Sequence, residues 1–142
     1  MNENALEMIE LELAILLRRT TSDNNHKKVG SLDRSAYLLL RRIAMKGAVG
    51  VKVLSGEFQL DISTVSRQAA ALEQKGYLYK IPDPLDGRAY TFEITELGKK
   101  VLKEHMQARF ERITELLQDW PEEECRVFGE LLRKFNYSFL ER

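Results

Sequence analysis

Apolar residues recur along this chain at intervals that predict a string of short helices broken by one hairpin. Between Asn4 and about Thr21, Leu6, Ile9, Leu13 and Leu16 return every three or four residues, with Met8, Ile15 and Leu17 widening the stripe, as in an amphipathic helix. Thr20-Thr21-Ser22-Asp23-Asn24-Asn25 should break it, because those side chains compete for backbone hydrogen bonds. Ser31-Leu32-Asp33-Arg34 opens a second helix that carries Tyr37, Leu38, Leu40 and Ile43 to Met45 and stops near Gly47. Gly47 and Gly50 bracket a short loop. Val51, Leu54 and Phe58 then predict a short third helix facing inward, and Gln59-Leu60 joins it to the next element.

That next element runs from Asp61 through Ile62-Ser63-Thr64-Val65-Ser66-Arg67-Gln68 and Ala69-Ala70-Ala71-Leu72 to Lys75-Gly76. Asp61 is a good N-cap, its carboxylate suited to the orphan amides of the first turn, and Gly76 suits the left-handed residue that ends a helix. Val65, Ala69 and Leu72 share one face, while Ser63, Thr64, Arg67 and Gln68 lie towards the other. A helix resting on a core and showing hydroxyl, guanidinium and amide groups outward suits base edges and phosphates. Tyr77-Leu78-Tyr79-Lys80-Ile81 and Thr91-Phe92-Glu93-Ile94 read as strands. Between them, Pro82-Asp83-Pro84-Leu85-Asp86-Gly87-Arg88 is rich in turn residues, with Asp86 and Gly87 supplying a tendency to positive φ and Arg88 near the tip. An arginine on a rigid tip is well made for a minor groove, where narrow walls focus negative potential.

Thr95 caps a long helix that keeps Leu102, Met106, Phe110, Ile113 and Leu117 in step, and Pro121, at a first-turn position, starts a last one with Val127, Phe128, Leu131, Leu132, Phe135 and Phe139. These helices and the first have more apolar surface than the central module needs. They either pack back on it or meet a second copy of the chain. Symmetry favours the second copy, because one recognition helix covers few base pairs and two-fold pairing doubles the contact.

The 142 residues, 44% hydrophobic and 31% charged, fit one globular domain. No apolar run reaches the roughly 18 residues of a membrane span, and Met1-Asn2-Glu3-Asn4 lacks the positive charge that starts a signal peptide, so a cytoplasmic location is expected with no membrane partner. The single cysteine, Cys125, rules out an internal disulfide, and His26 and His105 form no metal-ligand spacing, so neither metal nor cofactor is expected. Net charge is zero, but its distribution is uneven: +5 over Lys27–Lys100, −3 before it and −2 after it. A basic middle between acidic ends is compatible with a nucleic-acid-facing module whose flanks do another job. With no nucleophile elbow, phosphate-cradling glycine loop or His/carboxylate cluster, an enzyme is not expected.

These residues together resemble the MarR family of winged-helix regulators over nearly the full length. The wing carries the family's Asp-x-Arg pair and the strand end that caps the next helix, here Asp86-Gly87-Arg88-Ala89-Tyr90-Thr91-Phe92-Glu93-Ile94-Thr95, with Ile94 for the usual Leu. Ser63-Thr64-Val65-Ser66-Arg67 and Leu72-Glu73-Gln74-Lys75-Gly76-Tyr77-Leu78 resemble its recognition helix and Leu-Glu-x-x-Gly ending. Gly87 stands where many relatives have a second arginine, and Tyr79-Lys80-Ile81 lacks an arginine common after the turn, which shifts a phosphate contact to Lys80 or removes it. The resemblance implies a mainly α fold with a small β-hairpin wing (α+β): a single domain over residues 1–142, with a winged helix-turn-helix lobe over 33–95 flanked by dimerisation helices over 1–26 and 96–142. It further implies a homodimer on a near-palindromic double-stranded DNA operator with half-sites ~10 bp apart, repression being the expected mode. Ser63, Thr64, Arg67 and Gln68 would read bases and phosphates, Ser66 would meet phosphate, and Arg88 would enter the minor groove, oriented by Asp86.

Members of the family commonly answer to small anionic or phenolic effectors bound between the dimerisation helices and the DNA-binding lobe, for which Arg18, His26 and Tyr37 are the candidate contacts. Cys125 follows Glu122-Glu123-Glu124, carboxylates that work against a reactive thiolate, so it reads as a plain thiol. The competing reading is a winged-helix dimer that docks a protein partner and has little DNA affinity. A steep salt dependence separates the two.

Overall fold

The computed structural model describes residues 1–26, the last six by backbone alone, and 32–140. The chain forms two compact units, residues 1–106 and 107–142. The first unit holds α1 (Glu3–His26), α2 (Arg34–Lys46), α3 (Val51–Phe58), α4 (Ile62–Gln74), β1 (Leu78–Pro82), β2 (Tyr90–Ile94) and the first half of α5 (Glu96–Leu117). The second holds the rest of α5 and α6 (Glu122–Ser138).

The core of the first unit collects Leu39, Leu40 and Ile43 from α2, Leu54 from α3, Val65, Ala69 and Leu72 from α4, Leu78, Phe92 and Ile94 from the hairpin, and Leu102 from α5. Asp33 caps α2 by accepting from the Ala36 amide at 2.8 Å, and Gly47, at φ 89°, closes it by donating to the Ile43 carbonyl. Leu38, expected inward, is exposed, and Leu39 is fully buried in its place. The buried arc is centred between Leu39 and Leu40, and at about 100° per residue Leu38 falls on its far side. Helix α1 does not stop at Thr20-Thr21-Ser22-Asp23-Asn24-Asn25 but continues to His26. The Thr20 hydroxyl donates back to the Leu17 carbonyl at 3.0 Å, so it serves the helix it was expected to interrupt.

The end of α4 is a Schellman turn: Gly76, at φ 83°, donates to the Glu73 carbonyl and Tyr77 to that of Leu72. The strands pair antiparallel with Leu78 opposite Ile94 and Pro82 opposite Tyr90, which places the prolyl nitrogen at the far end of the ladder. Val49, in what the sequence showed only as loop, exchanges two backbone hydrogen bonds with Phe92 in an isolated antiparallel bridge beside the two-stranded hairpin. Thr95 locks hairpin to helix: its hydroxyl donates to the Gly76 carbonyl at 2.6 Å and accepts from the Gly98 amide at 2.9 Å.

In the second unit, Pro121 occupies the N-cap of α6 and Trp120 packs 5.3 Å from Phe128, ring centre to ring centre. No residue of α6 is buried; Phe128, Leu131, Leu132, Phe135 and Phe139 are all exposed. On α1 the same holds for Leu6, Met8, Ile9, Leu11, Leu16 and Leu17.

Candidate nucleic-acid interface

Burial of Val65, Ala69 and Leu72 leaves the opposite face of α4 to solvent. Ser63 and Arg67 are exposed there, one helical turn apart, with Thr64, Ser66 and Gln68 half-buried beside them. Asp61 takes the N-cap position as expected, but its side chain caps no backbone amide. Its carboxylate accepts instead from the Thr64 and Ser63 hydroxyls, at 2.9 and 3.2 Å. Thr64 foremost, then Asp61's own backbone amide and Ser63, hold this carboxyl below its ordinary range. Arg67 in turn reaches the Thr64 oxygen at 3.4 Å.

A cleft of about 300 Å³ opens between the start of α2 and the flank of α4, lined by Asp33, Ser35, Arg67, Gln68 and Lys75 among others. Ser35 and Lys75 were not singled out from the sequence. A signal for both was present: Lys75 lies seven residues after Gln68 on the same helical face, and Ser35 stands in the first turn after the Asp33 cap.

The wing tip closes differently from its expected form. Among the described residues positive φ occurs only at Gly47, Gln59 and Gly76, so neither Asp86 nor Gly87 adopts it. The Asp86 carbonyl accepts from Ala89 at 3.0 Å, its carboxylate accepts from the Arg88 amide at 3.0 Å, and Asp83 donates to Ala89 at 2.9 Å. The turn is thus tied by an aspartate side chain where a left-handed residue was expected. Arg88 projects from it with 96% of its side chain exposed, its Nε 3.6 Å from Asp86. Lys80 lies 3.8 Å from Glu73 of α4 and 4.6 Å above the Tyr90 ring, and so links the wing to the end of α4.

Of the candidate effector contacts, Arg18 is exposed on α1 and the His26 side chain lies outside the described residues. Tyr37 is buried, its ring 4.7 Å from that of His105 and its hydroxyl accepting from Arg41. Among the described residues no group of His, Cys, Asp or Glu could hold a metal ion, and no helix is long and apolar enough to cross a membrane.

Over 141 residues, 99% of either chain, the sequence is 48% identical to an uncharacterised HTH-type transcriptional regulator, YxaD, of Bacillus subtilis (strain 168). The sequence model of the MarR family matches residues 32–90, from the residue before the α2 cap to the second strand of the wing. The chain belongs to the MarR family. Its fold is similar to that of a MarR family protein of Bacillus stearothermophilus, with a TM-score of 0.77 at 20% identity over 99% of both chains. It is similar also to Streptococcus pneumoniae FabT, solved in complex with DNA, with a TM-score of 0.72 at 21% identity over 96% of this chain and 97% of that one. MarR family proteins are regulators of transcription and not enzymes, and this member is no exception.

Proposed function

We propose that this MarR family protein is a sequence-specific DNA-binding regulator that grips a near-palindromic operator as a homodimer. The observation that carries the reading is the joint display of two elements. Helix α4 rests its apolar face on the core and offers Ser63, Thr64, Arg67 and Gln68 outward, while a tied hairpin tip holds Arg88 almost wholly in solvent. Arg67 and Gln68 carry the fork-shaped groups suited to bidentate contacts with guanine and adenine edges. Ser66 and Lys80 suit phosphate, and Arg88 suits the minor groove. The bare apolar faces of α1 and α6 support pairing with a second copy, which sets two reading helices about one turn, ~10 bp, apart.

The test is selection of genomic fragments by the purified protein, followed by fluorescence-anisotropy titration of the best fragment at several salt concentrations. The expected result is a near-palindromic site bound ~10³-fold or more above random duplex. The log-log salt slope should be near −0.9 per phosphate contact. Weak, sequence-blind binding would instead favour a winged-helix dimer that docks proteins.

A further inference from the structure

Asp61 stands where a cap should be and caps nothing. Both hydroxyls of the first turn of α4, Thr64 and Ser63, donate to one oxygen of its carboxylate, at 2.9 and 3.2 Å. A hydroxyl has a single proton. Once that of Thr64 is committed to Asp61, the lone pairs of Oγ1 face away from the carboxylate, where the Arg67 Nη2 donates to them at 3.4 Å. Carboxylate, hydroxyl and guanidinium therefore form a chain at positions 61, 64 and 67 along one edge of the exposed face.

We propose that Asp61 is a positioning residue for base reading: it orients Thr64 so that Arg67 is presented to the major groove in one geometry. This rests on the DNA-reading function proposed above. The matching chemistry on DNA is a pair of acceptors in one plane, the O6 and N7 of guanine, which a guanidinium fork engages only when its plane is set correctly. A tethered arginine also has less rotamer freedom to lose on binding. The carboxylate has a second effect. Placed at a surface meant to approach phosphates, its charge disfavours loose association with any duplex, so the same residue aims the specific contact and weakens the unspecific one. Simple capping predicts otherwise: its loss would soften α4 and weaken all DNA by one factor.

The experiment measures, by fluorescence anisotropy, the affinity for a duplex operator selected from genomic fragments, its single-base variants and a random duplex of equal length. The base pair served by Arg67 is the one at which Arg67→Ala erases discrimination. Asp61→Ser keeps a capping side chain too short to reach Thr64, Thr64→Val removes the hydroxyl at constant shape, and Asp61→Asn keeps an acceptor without the charge. Asp61→Ser and Thr64→Val should each cut discrimination at that pair about tenfold. The double variant should do no worse than either, as expected of residues acting in one chain. Asp61→Asn should restore most of the discrimination while binding random duplex more tightly than wild type. Undiminished discrimination in Asp61→Ser, additive losses in the double variant, or a uniform loss on operator and random duplex alike would overturn the proposal. If the wild-type protein itself discriminates no duplex, the DNA-reading function fails as well; wild-type discrimination with indifferent Asp61 variants removes only the role of Asp61.

Discussion

Arg88 depends for its aim on a residue two places before it. The Asp86 carboxylate accepts from the Arg88 amide at 3.0 Å and lies 3.6 Å from its Nε, which ties the backbone under an otherwise free side chain. Since exposed ion pairs add little stability, Arg88→Ala should leave thermal unfolding unchanged. On the operator it should lower affinity about tenfold and flatten the salt slope by about one contact, with the order of base preferences in the major groove preserved. Anisotropy titrations of the variant check all three, and an unchanged operator affinity would remove the wing from the interface. His105 presents the opposite case, a polar residue with no outward role. It is buried, and its Nδ1 accepts from the Leu32 amide at 3.3 Å. His105→Phe keeps a ring against Tyr37 but strands a buried amide, and should cost roughly 1–3 kcal/mol in urea unfolding. From the sequence His105 could be read only as a histidine without metal-ligand spacing. Its partner is a main-chain amide 73 residues away, and a backbone donor leaves no trace in residue type.

Among the described glycines, the tightest surroundings are those of Gly98, where α5 leaves the wing. A Cβ on Gly98 would come within 2.3 Å of the Tyr77 carbonyl oxygen and 2.8 Å of Ile94. The oxygen cannot yield alone, because Tyr77 O also accepts from Thr95 at 3.0 Å, in the turn whose Gly76 carbonyl the Thr95 hydroxyl holds. Gly98→Ala should therefore destabilise by about 1–3 kcal/mol despite the better helix propensity of alanine, seen as a lower melting temperature. Between α2 and α3 the tie is ionic: Arg42 Nε donates to both oxygens of Glu57, at 2.8 and 3.0 Å. That hydrogen bond first, then the charges of Arg42 and Lys46, hold the Glu57 carboxyl below its ordinary value against the effect of burial. A depressed folded-state value means that the unfolded chain binds the proton more readily. The pair thus contributes fully above the ordinary carboxylate range and is lost as pH falls through the folded value. Glu57→Gln should cost about 1 kcal/mol at neutral pH and converge with wild type in acid, as read from unfolding at a series of pH values. Element order, the α4 ending and the Thr95 cap were legible because each is written in local residue chemistry. The Val49 bridge was not, since a single backbone pairing to Phe92 needs no strand-like run around it. The role of Asp61 was misread for a related reason: an N-cap aspartate looks the same whether its carboxylate meets amides or, as here, the hydroxyls beside it.

At the scale of the whole molecule, charge and apolar surface are sorted along the chain. The stretch Lys27–Lys100, net +5, contains α4 and the wing, while the acidic ends contain the helices with bare apolar faces. A chain that left Phe128, Leu131, Leu132, Phe135 and Phe139 in water would present one contiguous helical face with no compensating burial, a pattern expected of an interface. The proposed homodimer puts that face to use and makes operator affinity depend on it, because two linked half-site contacts bind far more tightly than one. Leu132→Glu combined with Phe135→Glu places charges in the middle of the face and leaves every core residue of the first unit unsubstituted. The variant should sediment as a monomer and retain the helical circular dichroism of a folded winged module. Its affinity for the full operator should fall ~10²-fold or more, while its affinity for an isolated half-site matches that of wild type. A variant that stays dimeric would move the interface away from α6. A monomer with undiminished operator affinity would mean that each copy reads DNA alone, and that the apolar face serves some other contact.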